Sequence, residues 1–276
     1  MSTPRNVNVH NPEFRETKPV QGHPTAPVTE LFKLNDRTII VTGASGFLGI
    51  HVSTAILESG GDVVGLDVGE TPPAAHWDKC NICDEAGVAA VFEKIAASIK
   101  TPIRGLVACA GVSIGGPAIE FPLSDLHKIV DVNLIGTFLT AQATAREVQK
   151  SGQSASFVLV ASMSGYISNK GSNTAGYCAS KAAVQQLGRS LAAEWGSRVG
   201  MPLIRVNTLS PGYIRTAATA QALQRPGLEK QWINDNMLLR LSTADEFRAP
   251  VVYMLSDGSS FMTGADLRVD GGHCAW

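Results

Sequence analysis

No apolar run in this chain approaches the roughly 20 residues that a membrane-spanning helix requires. An excess of charge is also missing. Lys and Arg number 23 against 24 Asp and Glu, a formal net charge of -1, which leaves no footprint for nucleic acid or an anionic membrane surface. Cysteine is scarce, with five scattered residues, an odd number that does not read as a disulfide framework. Cys80-Asn-Ile-Cys83 is the one pair with metal-like spacing, but no second pair or nearby ligand accompanies it. The six histidines form no HExxH pattern, so metal-free chemistry is expected. The N-terminus lacks the apolar core of a signal peptide and carries acids that argue against a mitochondrial presequence, so a cytoplasmic location is expected.

What the chain does have is apolar residues in short, spaced runs. Hydrophobic content is 44% and charged content 17%, enough for a sheet buried on both faces. Strands are predicted at Thr38–Thr42, Asp62–Leu66, Gly105–Cys109, Ser156–Val160, Arg205–Leu209 and Leu267–Val269, with a weak one near Lys79. Helical stretches separate them. This alternation predicts an α/β fold with a doubly wound parallel sheet of about seven strands and helices on both faces. Residues 1–33 stand apart. They hold Pro4, Pro12, Pro19, Pro24 and Pro27 with few apolar residues, and an extended or disordered tail is expected ahead of a single domain over 34–276.

The segment from Thr38 to Gly60 reads as a buried strand, a glycine-rich turn and an amphipathic helix. Gly43, Gly46 and Gly49 allow close approach of a pyrophosphate to the backbone, and the helix N-terminus offers unpaired N–H groups to the anion. The turn residues Ser45, Phe47 and Leu48 would share that contact. The next strand ends at Asp67, eighteen residues after Gly49, where a carboxylate accepts hydrogen bonds from an adenosine ribose. No Arg or Lys occurs from His51 to Trp77 to welcome a 2′-phosphate. NAD is therefore expected as cofactor, with NADP less favoured.

Tyr177 and Lys181 lie four residues apart in YCASK, on one face of a helix. A phenol titrates near pH ~10 and is a poor base at neutral pH, whereas a lysine ammonium one turn away favours the phenolate. Lys181 is thus expected to bring Tyr177 toward a working pKa.

Together these motifs resemble the short-chain dehydrogenase/reductase family of the compact, single-domain kind, over about Leu34 to the C-terminus. Ala108-Cys-Ala-Gly111 is similar to the family's NNAG, Val269-Asp-Gly-Gly272 to its closing signature, and Ser210-Pro-Gly-Tyr-Ile-Arg-Thr216 to the segment that closes over the nicotinamide. The resemblance implies Ser162, Tyr177, Lys181 and Asn133 as catalytic residues. Tyr177 takes the hydroxyl proton, Ser162 hydrogen-bonds the reacting oxygen, and Lys181 also holds the nicotinamide ribose. Asn133 passes the proton out through water. It adds Asn81, Ile82, Ala110, Gly111, Pro211, Gly212, Ile214 and Thr216 to the cofactor site. Ser164, Tyr213 and Trp232 are expected at the substrate, with Trp232 equally placed for a helix core or subunit interface.

Two departures stand out. TGASGFLG has the glycine spacing of the extended members, and Ala108 and Cys109 replace two asparagines. The C-terminal DLRVDGGHCAW and the ASMSGYISN stretch are similar to fungal polyol dehydrogenases and ketose reductases acting on mannitol, arabinitol or sorbose. The expected activity is interconversion of a secondary alcohol and a ketone, a polyol or an apolar secondary-metabolite alcohol being alternative substrates. A 3-oxoacyl reductase, an epimerase and a non-catalytic cofactor sensor are the rival functions. The family further implies a homotetramer or homodimer.

Overall fold

The computed structural model describes residues 26–69, 76–196, 199–216, 219–220 and 223–276. Seven strands form one sheet: β1 (Thr38–Thr42), β2 (Asp62–Asp67), β3 (His76–Lys79), β4 (Ile103–Ala108), β5 (Ala155–Val160), β6 (Ile204–Pro211) and β7 (Asp266–Val269). Their order is β3-β2-β1-β4-β5-β6-β7 and every pairing is parallel. The expected strands fall within two residues of these. The strand near Lys79 forms too, at the sheet edge.

Helices cover both faces, as a parallel sheet requires. They are α1 (Phe47–Glu58), α2 (Glu85–Ser98), α3 (Leu123–Val130), α4 (Thr137–Ser151), α5 (Ala175–Gly196), α6 (Leu228–Asn234) and α7 (Arg248–Leu255). The two-residue period of a strand divides its side chains between two cores. On one face Ile40, Leu66, Leu106 and Phe157 pack with Ile95, Val148 and Trp195. On the other, Ile39, Val41, Val107 and Val158 pack with Val52, Ile56, Phe247 and Val251. Phe157 and Trp195 meet edge to face with centroids 5.8 Å apart, a geometry worth about 0.5–1.5 kcal/mol beyond burial.

Strand order reverses at β1 and β4, the crevice where open α/β sheets bind ligands beyond their strand C-termini. Most of the expected N-terminal tail, residues 1–25, lies outside the described residues. Its last part is not extended: Glu30–Phe32 form a 3-10 turn, and Phe32 rests 6.3 Å from the Tyr253 ring. Among the described residues no helix is long and apolar enough to cross a membrane.

Candidate active site

The glycine turn sits at the reversal point. Gly43 has φ +65°, and a Cβ there would lie 2.8 Å from the Ala110 backbone, so β1 and β4 meet too closely for a side chain. Gly46 precedes α1, where a Cβ would come within 3.0 Å of the Gly43 carbonyl oxygen. Phe47 is exposed, Leu48 borders the cavity described below, and Gly49 is buried against the turn. The turn thus carries glycines where side chains would collide with backbone, at the N-terminus of a twelve-residue helix. That cradle fits a pyrophosphate.

Asp67 ends β2 beside it. Its carboxylate accepts from the Ser45 N–H at 3.0 Å and the Gly69 N–H at 3.1 Å. Burial works against its charge. Hydrogen bonds from the Ser45 side chain and from the Gly69, Ser45 and Val68 backbone outweigh burial and hold the carboxyl below its usual range. Asn81 and Ile82 follow β3. The Asn81 side-chain oxygen accepts from the Cys83 N–H at 3.1 Å, and Ile82 is buried where a Cβ on Gly136 would strike it at 2.6 Å. The Ala110 N–H donates to the Thr42 hydroxyl at 3.2 Å, and Gly111 faces Asn133 and Lys181.

The second cluster comes from β5 and α5. Ser162 follows β5, and its hydroxyl oxygen accepts from the Ser164 N–H at 3.1 Å. Tyr177 and Lys181 project from the first two turns of α5, with the ammonium 5.8 Å from the phenol ring centre. Lys181 is buried and donates to the Val160 carbonyl at 2.8 Å. Its pKa falls to about 8, mainly through burial, with the nearby Cys109 thiol pulling weakly the other way. Burial likewise pushes the Cys109 thiol up to about 12.

Here the expectation for Tyr177 is corrected. Burial raises its pKa above the usual phenol value, with Cys178 adding to the rise and a hydrogen bond with Ser162 offsetting part of it. Removing a phenolate from water is costly, and burial is the largest influence on this group, so its net shift is upward rather than toward neutral pH.

Asn133 lies in a π-helical turn, Asp131–Gly136, between α3 and α4. Such turns widen a helix and commonly mark functional sites. The side chain is fully buried: its oxygen accepts from the Val112 N–H at 2.8 Å, and its amide donates to the Val112 carbonyl and the Ser180 hydroxyl, each at 3.0 Å. The bonds to Val112 hold the irregular segment following Gly111 against the helix.

A cavity of about 1000 Å³ opens over these groups, lined by Gly111, Ser162, Tyr177, Lys181, Pro211, Gly212, Ile214, Thr216 and others. Ser164 borders it as well, but its hydroxyl donates to Asn169 at 2.9 Å. Tyr213 and Trp232 form one wall as a parallel stack, centroids 3.9 Å apart and planes 5° apart. Trp232 is thus both buried and at the cavity, which merges the two alternatives weighed for it.

Gln185, Asn169, Thr174 and Arg225 were not singled out in the sequence. Gln185 donates to the Ser162 carbonyl at 3.2 Å and to Ser210 at 3.1 Å, tying β5 to β6 beneath the cavity. Its signal was available, since it continues the Tyr177–Lys181 face by one further turn. Among the described residues no three His, Cys, Asp or Glu side chains gather where they could hold a metal ion.

A glycine cradle at a sheet's reversal point, and a Tyr–Lys helix lining a cavity that Leu48 of the same turn borders, define a dinucleotide-dependent oxidoreductase frame. Residues 43–273 match the family model described as enoyl-(acyl carrier protein) reductase. The chain belongs to the short-chain dehydrogenase/reductase family, whose members are oxidoreductases that use a nicotinamide cofactor. It is 60% identical over 285 residues to an Aspergillus versicolor protein named short chain dehydrogenases/reductase notP', covering 98% of each chain. It is 35% identical to sorbose reductase sou1 of Schizosaccharomyces pombe, over 90% of this chain and 100% of that one. It is 34% identical to a ribulose-forming D-arabinitol 2-dehydrogenase of Candida tropicalis, over 89% and 95%. Among solved structures, a gluconate 5-dehydrogenase from Burkholderia cenocepacia, in complex with NADP and tartrate, superposes with a TM-score of 0.84 at 25% identity, covering 91% of this chain and 100% of that one.

Proposed function

We propose that the chain is an NAD-dependent oxidoreductase that interconverts a secondary alcohol and a ketone, with a polyol or ketose as substrate. The observation that carries this reading is the convergence of Ser162, Tyr177 and Lys181 on one cavity that Leu48 of the glycine turn also borders. The pyrophosphate of a dinucleotide would be held by the backbone from Gly43 to Gly49 and its ribose by Asp67. When bound, the nicotinamide supplies the hydride acceptor or donor.

The chain's own residues handle the proton and the geometry. Tyr177 takes the hydroxyl proton in oxidation and returns it in reduction, and its raised pKa keeps the phenol protonated at neutral pH. Ser162 donates to the reacting oxygen, a contact useful only when well oriented. Its hydroxyl oxygen is already positioned by the Ser164 N–H. Lys181 holds its place through the Val160 carbonyl. Asn133 fixes the Val112 backbone and provides the start of a water-borne proton path, in keeping with the family.

Support for NAD comes from Asp67, a carboxylate held charged where a 2′-phosphate would lie. Support for a polyol or ketose comes from the sorbose reductase and the arabinitol dehydrogenase. A second reading, the same chemistry on an apolar alcohol, draws on the Tyr213–Trp232 stack. Enoyl reduction is disfavoured because enoyl reductases of this family space their Tyr and Lys further apart than YCASK does. We also place the protein in a homodimer or homotetramer, in line with its family.

The test is reduced-cofactor formation with NAD or NADP against polyols, hydroxysteroids, terpenoid alcohols and 3-hydroxyacyl thioesters. Polyol turnover with NAD is expected. Turnover of apolar alcohols alone would discard the polyol assignment, and turnover with NADP alone would overturn the reading of Asp67.

A further inference from the structure

The cavity wall is unbalanced in charge. Of the residues that line it, Lys181 and Arg225 are cationic and none is acidic. Lys181 is committed to the Val160 carbonyl beside Tyr177. Arg225 lies just before α6, and one of its N–H groups donates to the Gly171 carbonyl at 3.3 Å. No carboxylate lies within ion-pair distance of it among the described residues. The acids nearest in sequence are occupied elsewhere: Glu229 pairs with Arg215, and Asp235 faces Lys170 at 4.0 Å.

Arg225 is solvent-exposed and tethered by its bond to the Gly171 carbonyl. The segment before Ala175 and the segment containing α6 both contribute to the cavity wall and are fastened together. Gln231 donates to the Lys170 carbonyl at 3.0 Å, and the Gly171 carbonyl anchors Arg225. The guanidinium keeps donors to spare in a planar fork, which suits a carboxylate or phosphate bidentately. Beside it the wall is made of neutral donors and acceptors. Asn169 is oriented by Ser164 and by Thr174, to which its amide donates at 3.0 Å. Such a wall suits hydroxyl groups.

Resting on the alcohol–ketone reading above, we infer that the substrate carries an anionic oxygen group, a carboxylate or phosphate ester, bound by Arg225 at the cavity wall. Its hydroxyls lie along the Asn169–Thr174 wall, and its reacting carbon lies at Tyr177. Arg225 is then a specificity-determining residue. It discriminates by charge and leaves the proton chemistry to Tyr177.

The test is calorimetric titration of the enzyme with tartrate, with glycerol 3-phosphate and with neutral erythritol, for wild type, Arg225→Gln and Arg225→Lys. Wild type is expected to bind at least one anion and to bind erythritol more weakly. Arg225→Gln should weaken the anion by roughly tenfold or more, the loss of a charged hydrogen bond, with partial recovery in Arg225→Lys. Which anion binds identifies the group. Equal anion binding in wild type and Arg225→Gln, or no anion binding at all, would overturn the inference. Oxidation rates for a neutral polyol are read alongside. Polyol turnover without Arg225-dependent anion binding sinks this inference alone. Anion binding without turnover of any alcohol sinks the reaction assigned above and leaves Arg225 as an anion site.

Discussion

Tyr177 and Lys181 illustrate how a side chain's neighbours and its burial can pull in opposite directions. The phenol lies above its ordinary pKa because burial dominates, while the lysine falls to about 8 for the same reason. Both shifts favour the neutral form, so each group resists the charge that oxidation requires. The pH dependence follows in sign. Ketone reduction uses the protonated phenol and should stay level through neutral pH, falling only on the alkaline side. Alcohol oxidation uses the phenolate and should rise along that same limb. In Tyr177→Phe both directions should drop by roughly 10²–10⁴-fold and the limb should vanish, while dinucleotide titration by fluorescence still reports binding. An unchanged oxidation profile in that variant would remove Tyr177 from the chemistry. The Tyr–Lys pair was legible because a four-residue spacing is local and helical geometry is fixed. The direction of the Tyr177 shift was not, because it depends on burial that only the assembled cavity supplies. Arg225 was hidden for a similar reason: its anchor, Gly171, is 54 residues away in sequence.

At the scale of elements, the turn between β1 and α1 depends on contact distances more than on backbone freedom. A Cβ at Gly49 would lie 2.1 Å from the Gly43 carbonyl oxygen and 2.8 Å from Ala44 Cα. Both are backbone atoms that cannot step aside without moving the strand. Gly152, which ends α4, makes the contrast: it has φ +70° and nothing within 4 Å of an added Cβ. Gly152→Ala should therefore cost only the left-handed penalty, about 1–2 kcal/mol. Gly49→Ala should cost more, about 3 kcal/mol or beyond, as backbone overpacking, and should also weaken dinucleotide binding. Urea unfolding midpoints measure both, and equal losses would show that the turn relaxes around a methyl group. The glycine pattern, with its spacing of the extended type, predicted this element in place. The π-helical turn carrying Asn133 could not be read the same way. Gly136 at its end packs so closely against Ile82 that a Cβ would not fit, and nothing in VDVNLIGTF announces a partner on another segment.

At the scale of the whole molecule, the buried and exposed faces of the sheet's helical layers bear on assembly. Strand alternation made the doubly wound sheet legible, since parallel strands with helical crossovers allow few topologies. The subunit surface is another matter, because apolar residues left outside can be read only once the core is filled. Ile135 and Phe138 remain 43% and 38% exposed, although Gly136, Thr137, Thr140 and Ala141 of the same helical stretch are buried. An apolar pair on the outer side of a helix that is otherwise inside is what an interface between copies would use. The resemblance to the family implies subunit contacts at the helices around Asn133 and Tyr177, which adds to this expectation. Sedimentation of the wild type at micromolar concentration should give a dimer or tetramer. Phe138→Glu would place a charge in the contact and should lower the assembly by one step, with circular dichroism unchanged. Because Phe138 follows the turn that orients Asn133, dissociation is also expected to reduce turnover more than dinucleotide binding. A wild-type monomer would end the assignment. A Phe138→Glu protein that keeps its full size would move the interface off this face, and leave Ile135 and Phe138 exposed for another reason.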